Sequence, residues 1–174
     1  MCSLRTESKS LKGISVECRW CQCRRHFFVL MKDEQRKKLE TAFLNTNYFV
    51  EQDEGGSILI RVGEPNANLD ELLRGHGVNA WAFVTAYNPF GQQTSDADND
   101  RRHAELCGEL AKLGIKFLLG CGESVEKDWP PERSVLALGL DKEASIELGR
   151  KFEQLAIVVG VLGGRSKLEW CGQN

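Results

Sequence analysis

The chain has 174 residues, 41% hydrophobic and 28% charged, with a formal net charge of -2, a length that admits one hydrophobic core rather than two. Basic residues are scattered among acidic ones in short groups such as Arg24-Arg25 and Arg36-Lys37-Lys38, so a phosphate-backbone footprint, and with it nucleic-acid binding, is not expected. The longest apolar run, Leu155 to Leu162, is too short to cross a bilayer, and no charged start followed by an apolar stretch makes a signal peptide, so the expectation is a cytoplasmic protein with no membrane partner.

Residues 1–30 are polar, basic and cysteine-bearing without sustained periodicity, and are expected to form a flexible tail, with residues 31–174 as a single α/β domain. Met31 reads equally well as a translation start after an upstream extension or as part of a mobile N-terminus. The seven cysteines make an odd count in a chain without a secretion signal, which points to reduced thiols. Cys18, Cys21, Cys23 and His26 are ligand types that suit zinc. Four ligands within nine positions lack the usual separated pairs, so incidental thiols are the preferred reading and no metal or other cofactor is assigned.

The first periodic segment, Lys32 to Asn45, reads as a helix with Leu39, Ala42 and Phe43 on one face and a Glu34–Lys38 ion pair. Tyr48 to Gln52 and Ile58 to Val62 read as paired strands around Gly55-Gly56. Asn68 to Arg74 reads as a short capped helix ended by Gly75 and Gly77. Ala80 to Asn88 is apolar on both faces, the pattern of a central strand covered by helices, with Ala82 and Ala86 on one face and Trp81, Phe83 and Tyr87 on the other. Ser95 and Asp98 resemble a capping box, opening a helix with the stripe His103, Leu106, Cys107, Leu110 and Leu113 that ends at Gly114. Ile115 to Cys121 and Ser134 to Gly139 are further strands. Asp141 caps a helix whose apolar face is Ala144, Leu148, Phe152 and Leu155, and Ala156 to Leu162 pairs with Lys167 to Trp170 in a last hairpin. The order predicts an α/β (α+β-like) single-domain sandwich: a mixed, partly antiparallel sheet of about six or seven strands with helices packed on it.

Two stretches, Trp81-Ala82-Phe83-Val84-Thr85-Ala86-Tyr87-Asn88-Pro89 followed by Ser95 and Asn99, and Trp129-Pro130 through Ser134-Val135-Leu136-Ala137-Leu138-Gly139, resemble the bacterial family called "domain of unknown function 3293". The similarity runs roughly from Tyr48 to Gly160 and takes in Gly149, Phe152, Gln154 and Ala156. Tyr87-Asn88-Pro89 stands where the family usually shows Trp-Asn-Pro, and Gln154-Leu155-Ala156 where it shows Gln-Asn-Ala. The resemblance implies a bacterial protein with a shared fold and a shared pocket, and it carries no catalytic role.

The strongest local constellation is the end of the central strand, where Thr85 and Asn88 lead into a polar loop, Ser95 and a helix whose N-terminus would favour polar or anionic groups, with Arg102 nearby. Asn99 lies on the buried face of that helix. Glu123, Trp129 and Gln154 are expected as contacts from the second side, Glu123 as a general acid or base if part-buried and Trp129 as a stacking surface, with Asp128 and Glu132 as further carboxylates in the same loop. The site expected is thus Thr85, Asn88, Ser95, Asn99, Arg102, Glu123, Trp129 and Gln154, binding a small polar or anionic metabolite. No catalytic residue is assigned. The alternative is a regulatory or protein-interaction domain in which these residues only shape loops. Cys107 and Cys121 read as small core residues, and the glycine-rich segments match neither a P-loop nor a dinucleotide fingerprint.

Overall fold

The computed structural model describes residues 33–52 and 55–172; the Cys18, Cys21, Cys23 and His26 group lies outside them. The elements are α1 (Asp33–Leu44), β1 (Thr46–Glu51), β2 (Ser57–Ile60), α2 (Ala67–His76), β3 (Ala80–Thr85), α3 (Asp96–Lys112), β4 (Phe117–Ser124), β5 (Glu132–Leu138), α4 (Lys142–Lys151), β6 (Ala156–Val161) and β7 (Lys167–Trp170). This is the order read from periodicity. The caps are those the residues announce: Ser95 and Asp141 accept from the backbone N–H groups of Asp98 and Ala144, and Glu34 pairs with Lys38 at 3.1 Å. The short helix α2 instead takes Asn66 as its cap and runs through Gly75, stopping only at Gly77, which adopts φ 67°.

The seven strands form one curled sheet in the order β2-β1-β4-β5-β3-β6-β7. The predicted α/β class with helices on a sheet holds, but the sheet is not mixed: all six pairings are antiparallel. The reason lies in the crossovers. Helix α3 joins β3 to β4 and helix α4 joins β5 to β6, and each pair is parallel, yet each crossover skips one place that an antiparallel strand then fills. A helical connection therefore does not imply parallel neighbours.

Both faces of the sheet are covered. Ala82, Val84, Ala86, Val135 and Ala137 pack against Leu106 and Leu110 of α3 and Leu148 of α4. On the other face Trp81, Phe83, Leu136 and Leu138 pack with Leu69 and Leu73 of α2. Small alanines on the first face let α3 and α4 approach closely; large rings fill the second. Tyr87 departs from the expected alternation, because β3 ends at Thr85 and the chain turns, so its ring meets His103 of α3 edge-on at 6.2 Å. Among the described residues no helix is long and apolar enough to cross a membrane.

Two substitutions test this packing. A Cβ on Gly120 would sit 2.4 Å from the carbonyl oxygen of Phe49 and 2.9 Å from the Phe83 ring, whereas a Cβ on Gly108 in α3 meets nothing within 4 Å. Gly120→Ala should cost about 1–3 kcal/mol or more, and Gly108→Ala should add about 0.5–1 kcal/mol through helix propensity and chain entropy; urea titrations monitored by circular dichroism measure both. Burial pushes the Cys171 thiol from 9.0 up to about 12, against the pull of the Arg150 charge. The native state then holds a proton that the unfolded chain releases, so this contribution is complete below pH 9 and lost as pH rises toward 12. The thermal midpoint of the wild type should fall more steeply over that interval than that of Cys171→Ala.

Candidate functional site

At the end of β3 the ladder stops because the Thr85 hydroxyl takes over local bonding, donating to the Arg133 carbonyl at 2.8 Å and accepting the Tyr87 N–H at 3.0 Å. The turn that follows is tied down from two elements. Arg102 donates through Nε to the Ala86 carbonyl and through Nη2 to the Phe152 carbonyl, both at 2.8 Å, and pairs with Glu153 at 3.3 Å. From the α4–β6 connection, Gln154 donates to the Tyr87 carbonyl at 3.0 Å and the Phe152 carbonyl at 3.1 Å, while the Phe90 N–H donates to the Glu153 carbonyl at 2.7 Å.

These tethers hold Asn88 in the left-handed region, at φ 47° and ψ 63°, a conformation asparagine tolerates better than most residues. Its buried backbone N–H donates to Asn99 Oδ1 at 2.8 Å, and Asn99 Nδ2 returns a bond to Asn88 Oδ1 at 3.1 Å. Thr94 closes the group, its N–H reaching Asn88 Oδ1 and its hydroxyl Asn99 Oδ1. The remaining donor, Asn88 Nδ2, points at Glu132 Oε1 at 2.7 Å, and the Trp129 indole N–H meets the same oxygen at 2.7 Å. Donors from two loops thus converge on one carboxylate.

That carboxylate lines a cavity of about 400 Å³ on the α2 side of the sheet, at the end away from α2. Its floor is made of small residues on one face of four strands: Thr85, Gly122, Ser134 and Ala156. At the other end of the same face stand Trp81, Leu136, Leu138 and Ile60, which fill the space beneath α2. Where the side chains are small and no helix descends onto the sheet, the space stays open. Helix α1 roofs it with Leu39, Ala42 and Phe43, and Tyr48, Phe83, Leu155 and Leu168 complete apolar walls. Among the described residues the rim carries Glu126, Asp128 and Glu132 against a single lysine, Lys38.

The expected site residues divide. Thr85, Asn88, Trp129 and Gln154 line this cavity. Asn99 stands behind Asn88 and positions it. Ser95 is an exposed helix cap, occupied by the Asp98 N–H, and Arg102 is occupied by two carbonyls and Glu153, which removes the cation on which an anionic ligand was expected. Glu123 does not join them: Gly122 and Ser124 face the cavity, so strand alternation turns Glu123 to the opposite face, where it is exposed. Glu132, which the sequence suggested only as a further carboxylate, lines the cavity where Glu123 was expected. The roof was missed altogether, although Leu39, Ala42 and Phe43 had been placed on one face of their helix. A usable signal was present in the small residues that share strand parity with Phe83 and Leu136.

Among the described residues, neither Cys107 nor Cys121 is set up as a nucleophile. His103 Nε2 lies 3.7 Å from the Cys107 sulfur, but burial pushes the imidazole down and the thiol up, so both are driven toward their neutral forms. Burial likewise raises the Cys121 thiol, with Glu123, Glu132 and Glu51 adding to it. Outside the cavity the Tyr87 hydroxyl, bonded to Asp100 at 2.7 Å, is pushed up to about 12 by burial and then by that carboxylate, and the same bond holds Asp100 low.

A family model described as "Protein of unknown function (DUF3293)" matches residues 84–157, a stretch that contains Asn88, Asn99, Trp129, Glu132 and Gln154 but not the α1 roof. No curated protein and no solved structure matches the chain.

Removing the Asn99 side chain strands the buried Asn88 N–H, so Asn99→Ala should cost about 1–3 kcal/mol. Asn88→Ala should be more destabilising than Asn88→Gly by about 1 kcal/mol, since both delete the side-chain bonds but only alanine resists the left-handed backbone. Urea midpoints of the three variants measure this.

Proposed function

We propose a ligand-binding role for this chain, which belongs to the DUF3293 family and takes no activity from that membership: the cavity beneath α1 binds a small organic molecule, apolar along its body and polar at one end. The observation that carries the reading is the asymmetry of the cavity. Leu39, Phe43, Phe83, Leu155 and Leu168 provide apolar walls, and Asn88 and Trp129 meet on one lining carboxylate, Glu132. A volume of about 400 Å³ falls in the range of small-molecule sites. Apolar contact supplies affinity in such a site, and a few fixed polar groups set orientation.

The balance of charge at the rim among the described residues, three carboxylates and one lysine, favours a neutral or cationic polar end within the polar or anionic range expected from the sequence, and speaks against the anionic one. A purely structural role for the polar loop, as in a protein-interaction domain, accounts for Ser95 and Arg102. It leaves without purpose an open volume roofed by a helix that buries no residue of its own.

The reading is tested by filling the cavity. A Cβ on Gly122 has its nearest neighbours at 3.7–3.9 Å, so a side chain can enter there without striking backbone. In a thermal-shift screen of small apolar molecules with one polar end, wild type should show hits, with about 2.7 kcal/mol of stabilisation at one hundred times Kd. Gly122→Leu should fold and lose them. A hit retained by Gly122→Leu would place binding elsewhere, and a screen without hits would remove the reading.

A further inference from the structure

We infer that the polar end of the ligand is a protonated amine, received by Glu132; the inference rests on the ligand-binding reading above and sharpens it to a chemical class. The argument begins with the two oxygens of one carboxylate. Glu132 Oε1 accepts from Asn88 Nδ2 and from Trp129 Nε1, each at 2.7 Å, whereas Oε2 accepts from none of the described residues. Asn88 cannot swing away, because Asn99 and Thr94 hold it. A half-buried carboxylate at a cavity wall, fixed through one oxygen by donors from two different loops, presents the other oxygen as an acceptor at a set position.

The surroundings select the donor. Asp128 and Glu126 stand on the same rim and add negative charge, and Lys38, the one cation of the rim among the described residues, is already paired with Glu34 at 3.1 Å on the exposed side of α1. A carboxylate or phosphate placed at this end would face the like charge of Glu132, with those of Asp128 and Glu126 on the same rim. A neutral hydroxyl would gain a single hydrogen bond, whereas an ammonium gains the same bond with charge. Among the described residues no group of three or more His, Cys, Asp or Glu side chains could hold a metal ion. The apolar walls from Leu39, Phe43, Leu155 and Leu168 receive the hydrocarbon or aromatic body behind it.

The experiment uses two matched sets of probes on the full chain: phenethylamine, 2-phenylethanol and phenylacetate, and hexylamine, hexan-1-ol and hexanoate. Isothermal titration calorimetry gives affinity, and the indole N–H resonance of Trp129 reports binding at the site. Each amine should bind at least about tenfold more tightly than its alcohol, about 1.4 kcal/mol. The acids should bind more weakly still, and the amine preference should shrink as salt is raised. Glu132→Gln keeps an oxygen for Asn88 and Trp129 but places an amide N–H₂ where Oε2 was. It should hold the alcohols at near wild-type affinity and abolish the preference, and Glu123→Gln, on the opposite face, should change nothing. If alcohols or acids bind as tightly as the amines, or if the preference survives Glu132→Gln, the amine assignment is overturned while the cavity remains a binding site. If none of the six binds, both fall.

Discussion

The reciprocal hydrogen bonds between Asn88 and Asn99 hold the exit of β3 in a conformation that neither strand nor helix would impose. A buried backbone N–H and two buried amide side chains must all find partners, and here they satisfy one another across the gap between β3 and α3. The left-handed turn at Asn88 is the cost, and Arg102, Gln154 and the Phe90 N–H offset it by fixing the chain on either side. Everything at the polar end follows from this lock, since the direction of Asn88 Nδ2 decides where Glu132 stands.

The cavity has a second, independent origin in side-chain volume. One face of the sheet carries two helices unequally: α2 descends onto Trp81, Leu136 and Leu138 and is buried through Leu69 and Leu73, whereas α1 buries nothing and bridges a floor of Thr85, Gly122, Ser134 and Ala156. The roof is held by Phe43 against Trp170 edge-on at 6.1 Å, by Arg36 over the same indole at 5.0 Å, and by the Tyr48 hydroxyl on the Phe43 carbonyl.

Polar residues gathered at a strand end carry different duties once the chain is folded. Arg102 shows the largest change of role. Read along the chain it is a cation near a helix N-terminus, and in the fold its guanidinium is spent on two carbonyls and a carboxylate. Glu123 and Glu132 exchange places for a simpler reason: β4 had been read as ending at Cys121, but it continues to Ser124, so alternation and not loop geometry decides which carboxylate faces inward. The three residues between β3 and its loop, Thr85, Ala86 and Tyr87, likewise belong to two conformations where periodicity suggested one.

Element type and order were determined by the sequence itself, because caps such as Ser95 and Asp141, glycines at turns and the apolar periods of 2 and 3.6 are local signals that act within a few residues. The same locality placed Leu39, Ala42 and Phe43 on one face and Asn99 on the buried side of its helix. Strand neighbours, the all-antiparallel sheet and the cavity were decided only by the tertiary structure. Each depends on which strand fills a place the crossovers skip, and on small residues from four strands distant in the chain coming to lie beneath one helix. No periodicity encodes a coincidence of that kind, since it arises only when separate segments share a face.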